Sequence, residues 1–114
     1  MYIDKDKICK DAVDTFGVDN QFDMVFEEFG ELIQALNKIK RTFDVNKLSE
    51  IKEGKVKFNT IKESLVYCGM CSEIADAKIM IRQLEYIFSN EHINLSEERK
   101  LNRLQDRINK NNKK

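Results

Sequence analysis

Two pairs of carboxylates, each spaced three residues apart, give this chain its chemical character. Glu28 and Glu31 stand in EEFGELIQALNKIKR (27–41), and Glu73 and Asp76 in SEIADAKIMIRQLEYIF (72–88). Residues i and i+3 of a helix share a side, so each pair makes a two-pronged claw. Angular phase at about 100° per residue says where each claw points. The first segment has an apolar stripe of Phe22, Val25, Phe26, Phe29, Leu32, Ile33, Leu36 and Ile39, widened by Met24 and Ala35. Glu28 falls inside that band and Glu31 on its edge, while Glu27 projects to the polar side. The second stripe is Val66, Met70, Ile74, Ala77, Met80, Ile81, Leu84, Ile87 and Phe88, with Glu73 inside it and Asp76 at its border.

Four carboxylates on facing apolar stripes must be neutralised. Burying one unpaired costs roughly several kcal/mol, and clustering like charges adds to it. An all-oxygen, hard donor set with room for water suits Mg²⁺, with Mn²⁺ as a second possibility. The expected metal ligands are therefore Glu28, Glu31, Glu73 and Asp76. The plainer alternative is two ordinary salt-bridged helix pairs. A di-iron bundle would need Glu-x-x-His motifs, and the one histidine, His92, lies outside both claws.

The run Glu27-Glu28-Phe29-Gly30-Glu31-Leu32, followed by Glu73-Ile74-Ala75-Asp76, resembles the MazG-like all-α nucleoside triphosphate pyrophosphohydrolases. The approach FGVDNQFDMVFEEFGEL, with Gln21 upstream of the acids, and the late KLNRLQDRI (100–108) are similar to that group too. The 41 residues from 32 to 72 that separate the pairs exceed the usual spacing. The resemblance implies an all-α bundle of four to five helices, completed by oligomerisation into a homodimer or homotetramer. It also implies Mg²⁺-dependent hydrolysis of an NTP or dNTP to the monophosphate and pyrophosphate. In that reading Glu28, and Glu27 as an orienting or water-activating group, are the catalytic candidates. Gln21 is expected to touch base or sugar, with Lys38, Lys40, Arg41, Lys55 and Lys57 as candidate phosphate-binding residues. A phosphoribosyl-ATP pyrophosphatase-like pathway enzyme is a related alternative.

Composition sets the wider bounds. A chain of 114 residues fits one domain, 1–114. The absence of proline and only four glycines favour uninterrupted helices. Twenty basic residues balance twenty acidic ones, which argues against a nucleic-acid partner or a polybasic membrane surface. No apolar run approaches the ~20 residues of a membrane span, and MYIDKDKICK lacks a signal-peptide core. The expectation is a soluble, cytoplasmic protein. The odd count of three cysteines suits a reducing compartment. Cys68-Gly69-Met70-Cys71 is expected to hold buried thiols rather than a metal or redox centre, because it falls inside a helix.

Along the chain, Ile8, Ala12 and Phe16 predict a helix from 4 or 6 to 16, stopped by Gly17. Residues 18–20 read as a short link, with Asp19 capping the first claw helix. That helix is expected to end at 41–43. The 42–60 connection should be mobile and partly helical, with a short helix over 46–53, punctuation at Gly54 and an extended 55–58. Thr60 and Glu63 form a capping box for the second claw helix, expected to run to about 88. Residues 89–95 read as a turn holding a solvated His92. Ser96 is expected to cap a last helix bearing Leu101, Leu104 and Ile108, with 110–114 as a frayed basic tail.

A rival from another class is a helical interaction protein that uses its apolar stripes only to dimerise. It would tolerate Glu28→Gln or Glu73→Gln, whereas an enzyme of the kind described would lose metal-dependent turnover.

Overall fold

A computed structural model of the chain describes residues 2–55 and 57–113. Five helices follow in order: α1 Lys5–Phe16, α2 Val18–Thr42, α3 Val45–Lys52, α4 Ile61–Ile87 and α5 Asn90–Asn112. No strand occurs among the described residues.

The long helices α2 and α4 pack most extensively, and their direction can be read from who meets whom. Gln21 meets Gln83 at one end of the seam, and Ile39 packs with Met70 and Val66 at the other. The two helices therefore run antiparallel. Helix α1 lies against α4, where the Cys9 thiol donates to the Ile79 carbonyl and the Arg82 guanidinium to the Asp6 carboxylate at 2.7 Å. At the far end, α3 closes the seam. Phe43 and Phe58 lie with ring centroids 5.8 Å apart, and Leu48, Ile51 and Val66 pack around the Ile39–Phe43–Met70 cluster.

Local sequence explains the helix boundaries. Asp4 and Asp44 cap α1 and α3 by accepting from the amides of Lys7 (3.0 Å) and Lys47 (2.8 Å). Thr60 accepts from the Glu63 amide at 3.1 Å, and the Glu63 carboxylate reaches back to the Asn59 amide at 2.9 Å. This is a capping box extended by one residue. Gly17 turns the chain with φ +90°, a conformation that side chains with a Cβ rarely adopt.

The expected boundaries are corrected at three places. Residues 18–20 are not a link: α2 begins at Val18, one residue after α1 ends, and the Asn20 side chain donates to the Phe16 carbonyl at 2.7 Å. Nor is 89–95 a turn. Ser89, rather than Ser96, is the cap, accepting from the His92 amide at 3.3 Å, with Glu91 in the first turn to suit the helix dipole. His92 therefore sits in the opening turn of α5. The expected tail is mostly helix, since α5 runs to Asn112, and Lys114 lies outside the described residues. The expected extended piece at 55–58 includes Val56, also outside them.

Burial departs further from expectation. Of the first stripe, Val25 and Ile39 are buried, but Phe26 is 76 % exposed and Ile33 60 %. On α4, Met70, Ala77 and Met80 are buried, whereas Ile74 and Ile81 are about half exposed. No residue of α5 is buried. A single copy thus covers only the α2–α4 seam and the side under α1.

Candidate metal centre

The α2–α4 seam is built in layers. From the α2 N-terminus it passes the Gln21–Gln83 pair and then an apolar layer around Val25 and Met80. Next come the carboxylates, and then Met70, Ile39 and Phe43. The two claws meet because the antiparallel alignment that pairs Gln21 with Gln83 brings residues about two and three turns further along α2 opposite residues equally far back along α4. One carboxylate oxygen each from Glu28, Glu31, Glu73 and Asp76 lies within 4.8 Å of the other three. All four residues are half-buried.

The electrostatics of this layer are unfavourable as it stands. Glu28 Oε2 and Glu73 Oε2 are inaccessible to solvent and have no hydrogen-bond partner. Burial, and then the neighbouring Glu31 and Asp76, push the Glu28 carboxyl above its ordinary value. Glu73 is raised for the same reasons in the same order, with Lys38 offsetting part of the effect. Buried polar atoms are nearly always satisfied in folded proteins, so two orphaned carboxylate oxygens in one cluster call for a proton or a cation.

The donor set fits a hard divalent ion. Oxygens around one Mg²⁺ lie about 3 to 4.2 Å apart, given metal–oxygen distances of about 2.1 Å. The 4.8 Å spread is therefore within a modest side-chain rotation of enclosing an ion. No His or Cys belongs to the cluster, and all-oxygen sets favour magnesium, manganese or calcium over zinc or copper.

Beside the claws opens a cleft of about 810 Å³ between the C-terminal half of α2 and the N-terminal half of α4. Glu31 and Glu73 form one wall, Ala35, Leu65, Val66 and Met70 give an apolar floor, and Lys38 and Lys62 supply positive charge. Of the five basic residues expected at a phosphate, only Lys38 lines this cleft. Lys40, Arg41, Lys55 and Lys57 are exposed outside it. Lys55 lies 3.5 Å from Glu53, and the Lys57 carbonyl accepts from the Lys47 ammonium. Glu27 is exposed and stands outside the carboxylate group.

Gln21 lies elsewhere. It is buried, and its amide donates to the Gln83 carbonyl oxygen at 2.5 Å, so it serves the seam and is not turned to the cleft. Phe16 and Phe26 are exposed, and Phe22 stacks on Phe88 with centroids 6.0 Å apart, so none of the three walls the cleft. Sequence reasoning missed Lys62. Its signal was present, since eleven residues bring a helix back to nearly the same angle and put Lys62 in line with Glu73.

The cysteines are corrected in part. Cys9 is buried as expected, but Cys68 and Cys71 are exposed free thiols on α4. A helix position that looked internal from the sequence is a surface position in the single chain.

Comparison with known protein families, with curated proteins and with solved structures gives no match to this chain. The site is therefore read from its own chemistry.

Proposed function

We propose that the chain is a Mg²⁺-dependent nucleoside triphosphate pyrophosphohydrolase, cleaving an NTP or dNTP to the monophosphate and pyrophosphate. The observation that carries this reading is the pair of buried, unpartnered oxygens on Glu28 and Glu73, within a four-carboxylate cluster that borders a lysine-bearing cleft. The motif resemblance of 27–32 and 73–76 to MazG-like enzymes supports it. Glu28, Glu31, Glu73 and Asp76 would hold the ion. Once bound, a divalent cation neutralises phosphate charge and lowers the pKa of a nearby water.

The chain's own residues do the rest. Lys38 and Lys62 face phosphate oxygens as point charges. The apolar floor of Leu65, Val66 and Met70 offers a surface to a base or sugar and keeps water from one side of the phosphates. The clustered negative charge would repel a bare triphosphate, so substrate and cation must arrive together or in sequence.

A release assay for pyrophosphate across canonical and modified (d)NTPs, with and without Mg²⁺, tests the proposal. Release that vanishes with chelator and with Glu73→Gln is the expected result. The absence of both pyrophosphate release and Mg²⁺-dependent nucleotide binding across the panel would overturn it.

A further inference from the structure

Where the N-terminal end of α1 meets α4, a second cleft encloses about 340 Å³. Ile3, Ile8, Cys9, Ala75 and Ile79 make its walls, and Lys5, Lys78 and Arg82 stand around them. No carboxylate lines it. Other clefts of the chain carry both signs. Glu31 and Glu73 oppose Lys38 and Lys62 in one, and Asp4, Asp6 and Glu85 oppose Lys7 and Lys10 in another.

Residue order accounts for this imbalance. On α1, Lys7 and Lys10 each meet an acid one turn further on, Asp11 at 2.7 Å and Asp14 at 2.9 Å. At the same spacing Lys5 meets Cys9, and on α4 Lys78 meets Arg82, a like charge. Arg82 is tied across the helices to Asp6 at 2.7 Å. Lys5 and Lys78 form no ion pair among the described residues. Two uncompensated ammonium groups thus flank one apolar hollow, in a chain whose overall charge is zero.

The walls select the rest of the occupant. They offer no aromatic ring on which a base could stack, and no amide or hydroxyl side chain to bond a sugar. The Cys9 thiol is spent on the Ile79 carbonyl at 3.8 Å, so it acts here as a small apolar group. Ile3, Ile8 and Ile79 remain about half exposed and would be covered by a hydrocarbon laid against them. The hollow is at the small end of ligand pockets and too narrow for a helix about 10 Å across. A second copy on a two-fold axis here would set Lys5 and Lys78 against their own counterparts.

We infer that this cleft binds a free aliphatic carboxylate, its chain against Ile8, Ala75 and Ile79 and its head met by the ammonium groups of Lys5 and Lys78. The site shares no residue with the cleft beside the four carboxylates.

Calorimetric titration of the purified full-length chain with octanoate, below its micelle concentration and without metal or nucleotide, tests this independently of any activity. Saturable binding is expected, with amide NMR shifts centred on Ile8, Cys9, Ala75 and Ile79. Octanol lacks the charge and octylammonium reverses it, so each should bind at least about tenfold more weakly. Lys5→Gln with Lys78→Gln should weaken octanoate by about tenfold or more, and Ala75→Phe should abolish binding by filling the hollow. Lys7→Gln with Lys10→Gln removes as much charge outside this cleft and should leave the affinity unchanged. Failure of octanoate to saturate, equal affinity for octanol, or shifts centred on Leu65 and Met70 in the other cleft would each overturn the inference. So would an equal loss from the Lys7 and Lys10 variant, or binding retained in Ala75→Phe. The lysine substitutions are on the surface, so their outcome decides even if Ala75→Phe fails to fold.

Discussion

The α2–α4 seam holds two polar layers, and they behave differently. At one end, where both side chains are buried, the Gln21 amide donates to the Gln83 carbonyl oxygen across the helices. Two turns along, four carboxylates converge and leave Glu28 Oε2 and Glu73 Oε2 with nothing to bond. A neutral amide carries both donor and acceptor, so a pair of them can close on itself. Ionised carboxylates only accept, and four of them cannot satisfy one another at any geometry. The first layer is complete within the chain. The second needs a species the chain does not contain.

The largest expected effect separates the two layers by function. Glu73→Gln or Glu28→Gln should reduce Mg²⁺-dependent pyrophosphate release by at least about 100-fold, judged against the 10–100-fold cost of disturbing even outer-shell metal partners. Gln83→Leu should leave the catalytic constants within a few-fold, because it touches only the closed layer. Circular dichroism should show the fold retained in the carboxylate variants. Equal losses from Gln83→Leu and Glu73→Gln would erase the distinction.

Stability should report the opposite ranking. Gln83→Leu strands a buried Gln21 amide and should cost about 1–3 kcal/mol in urea unfolding. The double variant Gln21→Leu with Gln83→Leu should recover much of that loss, since no amide is then left unpaired. Additive losses would show that the amide pair is not what matters.

Mg²⁺ should stabilise the wild-type chain by about 1.4 kcal/mol at ten times its dissociation constant, from mass action alone. The increment should vanish in Glu28→Gln and persist in Gln83→Leu. A magnesium-independent melting temperature would count against a metal layer.

The smallest effect is in the pH dependence without metal. Burial and neighbouring acids raise the Glu28 and Glu73 carboxyls in the fold, so protons bind the folded state more tightly than the unfolded one. Their contribution is complete below the ordinary carboxylate value of 4.5 and is lost as the pH rises through the raised folded values. Asp14, held down by Lys10, works the other way on the surface. The useful measurement is therefore a difference. Glu28→Gln should be less destabilised than wild type on going from about pH 4.5 to neutrality, and identical slopes would contradict the desolvated cluster.

Much of this was legible in residue order. The Thr60 cap and the Thr60–Glu63 box were readable because they are contacts over three or four residues. The claws were readable because i, i+3 spacing and a 3.6-residue period fix which side a carboxylate takes. The two misread junctions, at 18–20 and 89–95, have a common cause. Polar residues that suit a link also suit a first helical turn, and a preceding Gly17 or Ser89 decides between them. Stripe width misled in a different way. Phe26, Ile33 and Ile74 look like core by periodicity, yet periodicity reports an apolar side and not whether this same chain covers it.

The sequence by itself determined the helices, the side each acid occupies, the balance of charge and the oxygen-only character of the donors, all set by neighbours within a turn or two. Only the tertiary structure decided that the two claws share one layer and that Gln21 is spent on Gln83. It also placed Lys38 and Lys62, and not the lysines of 55–57, beside the acids. The physical reason is register. A one-turn slide of α4 along α2 would keep every stripe and every cap, and would move the carboxylates about 5.4 Å out of reach of one another.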